Sequence, residues 1–353
     1  MHFYHSSTDA WLAMTQACAR AEKSIDFEEY IIRDDSVGIK LLTIFMAKAR
    51  DGVRVRLLFD AFGSRQLRQS QLITELYDAG VQLVFYRPMN FVQDTLPILS
   101  LPRNHAKVLH IDGTVSYIGS MCVAAHMIGW RDTLLALEGH VATRSQLDFN
   151  RVWSREALNI TYRPSVDILE DEPEADTYAA QIPELDIASI IDILVARIAT
   201  AKTSVLIATP YFYPPRKLRE TLITAQTRGI SIILMLASQT DILLADTVTR
   251  GLISYWRRLG FDVVFYQPTV LHAKYAIIDN DWATVGSCNF DLLSSKHNRE
   301  ANVVLRNPLH VQKLISQSKV DLSNCLPLPA TRSVHNMWNK ALGKLGALVY
   351  RVF

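Results

Sequence analysis

His105 and Lys107 stand two positions apart, and so do His272 and Lys274. Both pairs lie in β-rich runs, NHAKVLHID and LHAKYAIID, and on a strand residues i and i+2 face the same side. Each run therefore offers one imidazole beside one ammonium. Five residues after each Lys comes an Asp, Asp112 or Asp279, and seven beyond that comes Gly119-Ser120 or Gly286-Ser287. Asn289 follows Ser287 by two, where the first run has Cys122. A single His on a strand is commonly structural, but this spacing occurs twice. Two ammonium groups with neutral donors suit the non-bridging oxygens of a phosphodiester and the charge that develops there. Lys107, Lys274, Ser120, Ser287 and Asn289 form the expected phosphate-binding set. One neutral imidazole attacks phosphorus and gives a phosphohistidine, which splits the displacement into two steps. The other, protonated, gives its proton to the leaving alkoxide and later takes one from the incoming alcohol or water. The lysines supply the positive charge, so neither a metal nor another cofactor is expected. The spacing does not say which His attacks.

With these two His-x-Lys-x4-Asp-x6-Gly-Ser motifs the chain resembles the phospholipase D superfamily, over about residues 10–308. The first half is most similar to bacterial cardiolipin synthases, on GSMCVAAHMIGWRDTLLALEGHVATRSQLDFNRVW. The resemblance implies His105 as nucleophile and His272 as acid and base. It implies Asp132 and Glu300 as the carboxylates that orient the imidazoles, lying 27 and 28 residues after His105 and His272. It makes Asp112 and Asp279 structural, pinning the turn after each strand. Cys122 departs from the pattern; a thiol is a weak donor, and a buried, inert Cys is expected there.

The elements that must position these residues are themselves repeated. LYDAGVQLVFYRP, ending at Pro88, matches YWRRLGFDVVFYQP, ending at Pro268, at an offset of 180. Between His105 and His272 the offset falls to 167, so the first copy carries 13 extra residues after Pro88. In each copy β-rich runs alternate with helical patterns, which predicts an α/β fold. With the resemblance this becomes two tandem phospholipase D-like α-β-α domains packed as a pseudo-twofold pair. The expected divisions are a first repeat over 1–165, an acidic connector over 166–186, a second repeat over 187–330 and a basic amphipathic helix over 331–353. Asp167 to Asp186 holds eight acidic residues and no Lys or Arg, which reads as a solvated connector.

A hydrophobic fraction of 49% with 20% charged residues excludes a disordered chain or a coiled coil. A net charge of +2 lacks the basic excess of a nucleic-acid binder, so no nucleic acid is expected as partner. The four Cys are far apart and form no CxxC pair, so neither a zinc site nor a disulfide framework is expected. The N-terminal residues lack a basic region followed by an apolar run, so no signal peptide is expected. No run of 18 apolar residues occurs, so no spanning helix is expected. Contact with a membrane surface is expected instead. The extra stretch 89–103 is apolar and broken by Pro97 and Pro102. From Val334 to Val352, apolar residues recur at steps of three and four, with Lys340, Lys344 and Arg351 off that face and no acid after residue 330. The expected function is phosphatidyl transfer between phospholipids, by a cytoplasmic protein peripheral on the inner membrane. A hydrolase or nuclease of the same chemistry and a non-catalytic lipid binder are the rivals.

Overall fold

The computed structural model describes residues 1–88, 102–158, 175–183 and 190–327. It contains two mixed sheets of the same plan. In the first, β1 (His2–Ser6), β2 (Ser24–Glu29), β3 (Arg54–Asp60), β4 (Gln82–Tyr86), β5 (Val108–Ile111), β6 (Val115–Gly119) and β7 (Arg131–Glu138) adopt the order β1-β7-β6-β5-β2-β3-β4. The strands β2, β3 and β4 run parallel, and β5, β6, β7 and β1 continue the sheet antiparallel. The second sheet is built from β8 (Thr177–Gln181), β9 (Ser204–Thr209), β10 (Ser231–Ala237), β11 (Asp262–Tyr266), β12 (Tyr275–Ile278), β13 (Trp282–Gly286), β14 (Glu300–Leu305) and β15 (Cys325–Leu326). Its order is β15-β11-β10-β9-β12-β13-β14-β8, the first sheet's order with β15 added at one edge.

The parallel strands require crossovers, and the helical patterns supply them. The helix Ser36–Arg50 joins β2 to β3. Asp35 caps it by accepting from the N–H groups of Val37 and Gly38, both at 3.1 Å. Its buried residues Gly38, Leu41, Leu42, Phe45 and Met46 recur at steps of three and four and lie on the sheet. Arg216–Thr227 does the same between β9 and β10 through Leu218, Leu222 and Ala225.

Alternation along the strands divides the apolar residues between two faces. Leu109, Tyr117 and Leu134 join the first half's own core, while Val108, Ile118 and Leu135 turn the other way. They meet Ala208, Met235, Tyr275, Ile277, Ala283 and Val285 of the second half in one apolar cluster between the sheets. The helices of the two separate cores cover the outer faces and the sheets face each other, with His140–Leu158 and Pro308–Ser323 reaching the inner side through Val141 and through Val311, Leu314 and Ile315. This is the expected paired α/β architecture, with the His-Lys segments where the halves meet.

Residues 177–181, inside the stretch read as a connector, form β8 instead. This strand pairs antiparallel with β14, as β1 pairs with β7. The acidic composition concealed it, because the strand segment TYAAQ is itself uncharged and follows a run of acids. The second half thus opens with its own edge strand near residue 177. Most of the connector, residues 89–101 of the apolar stretch and the tail 331–353 lie outside the described residues. Among the described residues no helix is long and apolar enough to cross a membrane.

Candidate active site

His105 and Lys107 occupy the extended segment leading into β5, and His272 and Lys274 the one leading into β12. Both segments cross to the other half. The His105 N–H donates to the Arg299 carbonyl at 2.9 Å, and the Arg299 N–H to the Arg103 carbonyl at 2.9 Å. The His272 N–H donates to the Arg131 carbonyl at 2.8 Å, and the Arg131 N–H to the Val270 carbonyl at 2.9 Å. Arg131 and Arg299 each precede one of the expected orienting carboxylates. The backbone therefore delivers each carboxylate to the other copy's imidazole. His105 Nδ1 lies 3.0 Å from both oxygens of Glu300, and His272 Nδ1 lies 2.7 Å from Oδ2 of Asp132. The carboxylates that the resemblance implied each meet an imidazole, but the contacts run crosswise between the copies.

A carboxylate on Nδ1 makes that nitrogen the protonated one and leaves Nε2 as the basic atom. In His272, Nε2 accepts from the Lys274 ammonium at 2.8 Å, so the imidazole is neutral in this arrangement. Lys107 Nζ donates to the His105 carbonyl at 2.7 Å and lies 5.3 Å from the Tyr30 ring centre. Burial pushes His105 down to about 4; Lys107 and Lys274 push the same way, and Glu300 opposes them. His105 is thus an uncharged imidazole at neutral pH. Burial and Lys274 also hold His272 below its ordinary value, against Asp132. Burial lowers Lys274 to about 8, with Lys107 adding to the shift. Burial would raise Asp132, but His272 and Lys274 outweigh it and hold the carboxyl at about 2. Glu300 is likewise held low by His105 and Lys107 against its burial. Both carboxylates are anions at neutral pH.

Ser120 and Ser287 require a correction. The Ser120 hydroxyl donates to Asp132 Oδ1, and the Ser287 hydroxyl donates to Glu300 Oε2 at 2.5 Å. A hydroxyl has one proton to donate, so neither serine has one left for a phosphate oxygen. They hold the carboxylates, and the two lysines and Asn289 remain as donors of the expected set. Asn289 is half-buried, and Cys122 is buried. Asp112 and Asp279 lie at the far ends of β5 and β12, turned away from this chemistry. Asp112 accepts the N–H groups of Glu22, Lys23 and Ser24, and Asp279 those of Lys202, Thr203 and Ser204. Each ties the turn after its strand to the start of the adjacent antiparallel strand, β2 or β9.

The glycine before each serine has a steric cause. A Cβ on Gly286 would lie 2.3 Å from the Ala301 carbonyl oxygen, and one on Gly119 would lie 2.4 Å from that of Thr133. Both obstacles are backbone of the strand that carries the orienting carboxylate. Gly286→Ala must push β13 from β14, with an expected loss of about 1–3 kcal/mol of stability. Thermal unfolding measures it, and a variant that melts with the parent contradicts this packing.

Composition and spacing missed several neighbours. Tyr30 sets its ring edge against His105, with centres 4.9 Å apart, and Trp130 packs on His272 at 5.5 Å. Arg131 makes a bidentate pair with Asp321 at 2.8 and 2.6 Å. Fully buried Arg299 bonds Glu28 at 2.9 Å and Asp148 at 2.7 Å. Both arginines cross between the halves, and removing one partner of such a buried pair costs about 3–5 kcal/mol. One signal was present: an Arg precedes the orienting carboxylate in both copies, as Arg131-Asp132 and Arg299-Glu300.

The chain matches the family model described as "Cardiolipin synthase, PLD-like domain" over residues 14–153 and 194–321. It is 33% identical over 331 residues to cardiolipin synthase 2 of Bacillus cereus, covering 89% of this chain and 63% of that one. With the probable cardiolipin synthase YwiE of Bacillus subtilis it shares 31% over 330 residues, covering 87% and 63%. The chain thus spans about 63% of the length of these relatives. Among solved structures, phosphatidylserine synthase of Haemophilus influenzae has the same fold. Its TM-score is 0.73 at 14% identity, covering 99% of this chain and 93% of that one. Two half-sites completed by each other's carboxylates, together with a family match over both halves, make this chain a member of the cardiolipin synthase family of phospholipase D-like proteins.

Proposed function

We propose that this chain is a phosphatidyltransferase that moves a phosphatidyl group from one phospholipid to the hydroxyl of another, of the phosphatidylglycerol type. The observation that carries the reading is the crosswise pairing of His105 with Glu300 and His272 with Asp132 beside two buried lysines. Nε2 of His105 attacks phosphorus, and the bond from phosphorus to the head-group oxygen breaks. In the free site Lys274 donates to His272 Nε2. As Lys274 turns to the bound phosphoryl oxygens, Nε2 takes up a proton from solvent, and His272 gives that proton to the departing oxygen. In the second step His272 takes the proton of the incoming hydroxyl, whose oxygen attacks phosphorus. The phosphorus–nitrogen bond breaks and His105 is restored. Lys107 and Lys274 neutralise the phosphoryl oxygens throughout. The names of the relatives support cardiolipin as the product. The apolar stretch 89–103 and the basic tail 331–353 are the segments proposed to meet the lipid surface, on the inner face of the membrane.

Mass spectrometry of lipids tests this reading. The protein is mixed with phosphatidylglycerol vesicles, with and without phosphatidylethanolamine, beside a His105→Ala control. Cardiolipin that requires His105 is the expected result. Phosphatidic acid alone makes water the acceptor, and unchanged lipids contradict the proposed substrate class.

A further inference from the structure

The two half-sites are equivalent in fold but differ in one pair of donors. In the first sheet Glu28 pairs with Val108 in the antiparallel register of β2 and β5, which sets Glu29 opposite Lys107. In the second, Ala208 pairs with Tyr275, which sets Thr209 opposite Lys274. Glu29 thus takes the place of Thr209, and Cys122 the place of Asn289. Both departures lie on the side of Lys107. Lys107 acts on both groups, holding the Glu29 carboxyl and the Cys122 thiol down against their burial. Lys274 also acts on Cys122.

Glu29 is 1% exposed. One of its oxygens, Oε1, accepts the Tyr30 N–H at 2.8 Å. Burial pushes its carboxyl up to about 8, against Lys107, the N–H groups of Tyr30 and Ile31, and Cys122. At neutral pH the group therefore keeps its proton. A protonated carboxyl is a strong neutral donor, which a thiol is not. We propose that Glu29 donates a hydrogen bond to a non-bridging oxygen of the bound phosphoryl group, supplying in the first half-site the donor that Cys122 lacks. The inference rests on the reading of the site as one for phosphodiesters, and it deepens that reading by naming a residue that contacts the transferred group.

Two readouts keep the two claims apart: affinity for inorganic phosphate by titration calorimetry, and His105-dependent transfer between lipids. E29Q keeps a donor at this position and E29A does not. Losing one donor to a charged phosphoryl oxygen lowers turnover roughly 10²-fold. Phosphate affinity is expected to fall about tenfold or more further in E29A than in E29Q. E29T/C122N installs the second half-site's own pair and is expected to recover most of what E29A loses. Thermal unfolding checks that this double variant folds; if it does not, the contrast between E29Q and E29A still decides. Equal losses in E29Q and E29A overturn the proposal, as does E29A with the affinity and turnover of the parent. Should the parent transfer no lipid while phosphate affinity follows the expected order, the lipid reading fails and the assignment of Glu29 stands.

Discussion

Replacing His105 by Ala is expected to abolish transfer, lowering turnover by at least about 10⁴-fold, because the proposed intermediate forms on its imidazole. Replacing His272 by Ala is expected to be severe on lipids but selective. It removes acid and base assistance, worth roughly 10²–10⁴-fold. A phosphodiester with a nitrophenyl leaving group separates the two roles, since nitrophenolate departs without a proton. The His272→Ala protein should release one equivalent of nitrophenolate in a burst and then stall with the phosphoryl group on His105. The His105→Ala protein should give no burst. The reverse pattern makes His272 the nucleophile and overturns the assignment, while leaving the two-step chemistry intact.

The second large effect follows from the crosswise carboxylates. Asp132→Asn and Glu300→Gln keep the size of each side chain but remove the charge and the fixed acceptor on Nδ1. Loss of the correct tautomer is expected to lower turnover by roughly 10²–10⁴-fold in each case. The informative result is which imidazole each variant imitates. Asp132 sits in the first copy but contacts His272, so Asp132→Asn should behave as a His272 defect and keep its nitrophenolate burst. Glu300 sits in the second copy but contacts His105, so Glu300→Gln should lose the burst. Were each carboxylate to serve its own copy's His, the two outcomes would exchange. Burst amplitudes on the two purified variants decide between these arrangements.

Much of this site was legible along the chain. The doubled His-x-Lys spacing, the offset repeat and the alternation of strand and helix patterns carried the α/β architecture and His105, Lys107, His272 and Lys274, while the resemblance to the phospholipase D superfamily added Asp132 and Glu300. The crosswise pairing was not legible. Asp132 and His272 are 140 residues apart, and no periodicity links them. Their meeting depends on a bridge between Arg131 and Leu271, which joins the halves rather than either sheet. The serines were misread for a related reason. A hydroxyl beside two lysines suits phosphate equally well until the neighbouring strand brings a carboxylate within bonding distance. Strand β8 was hidden because an acidic stretch reads as solvated, although an edge strand needs only one apolar face. Arg299 was overlooked because burial of a charged side chain follows from partners such as Glu28 and Asp148, which lie far away in sequence.

The central claim is a covalent bond between phosphorus and His105. Its most direct test is to mix the His272→Ala protein with the nitrophenyl phosphodiester and quench it in alkali, where phosphohistidine survives. Mass spectrometry of its peptides then locates the adduct. The expected result is one phosphoryl adduct on the peptide carrying His105, formed in step with the nitrophenolate burst and absent from the His105→Ala protein. A burst without an adduct, or an adduct on another residue, contradicts the mechanism.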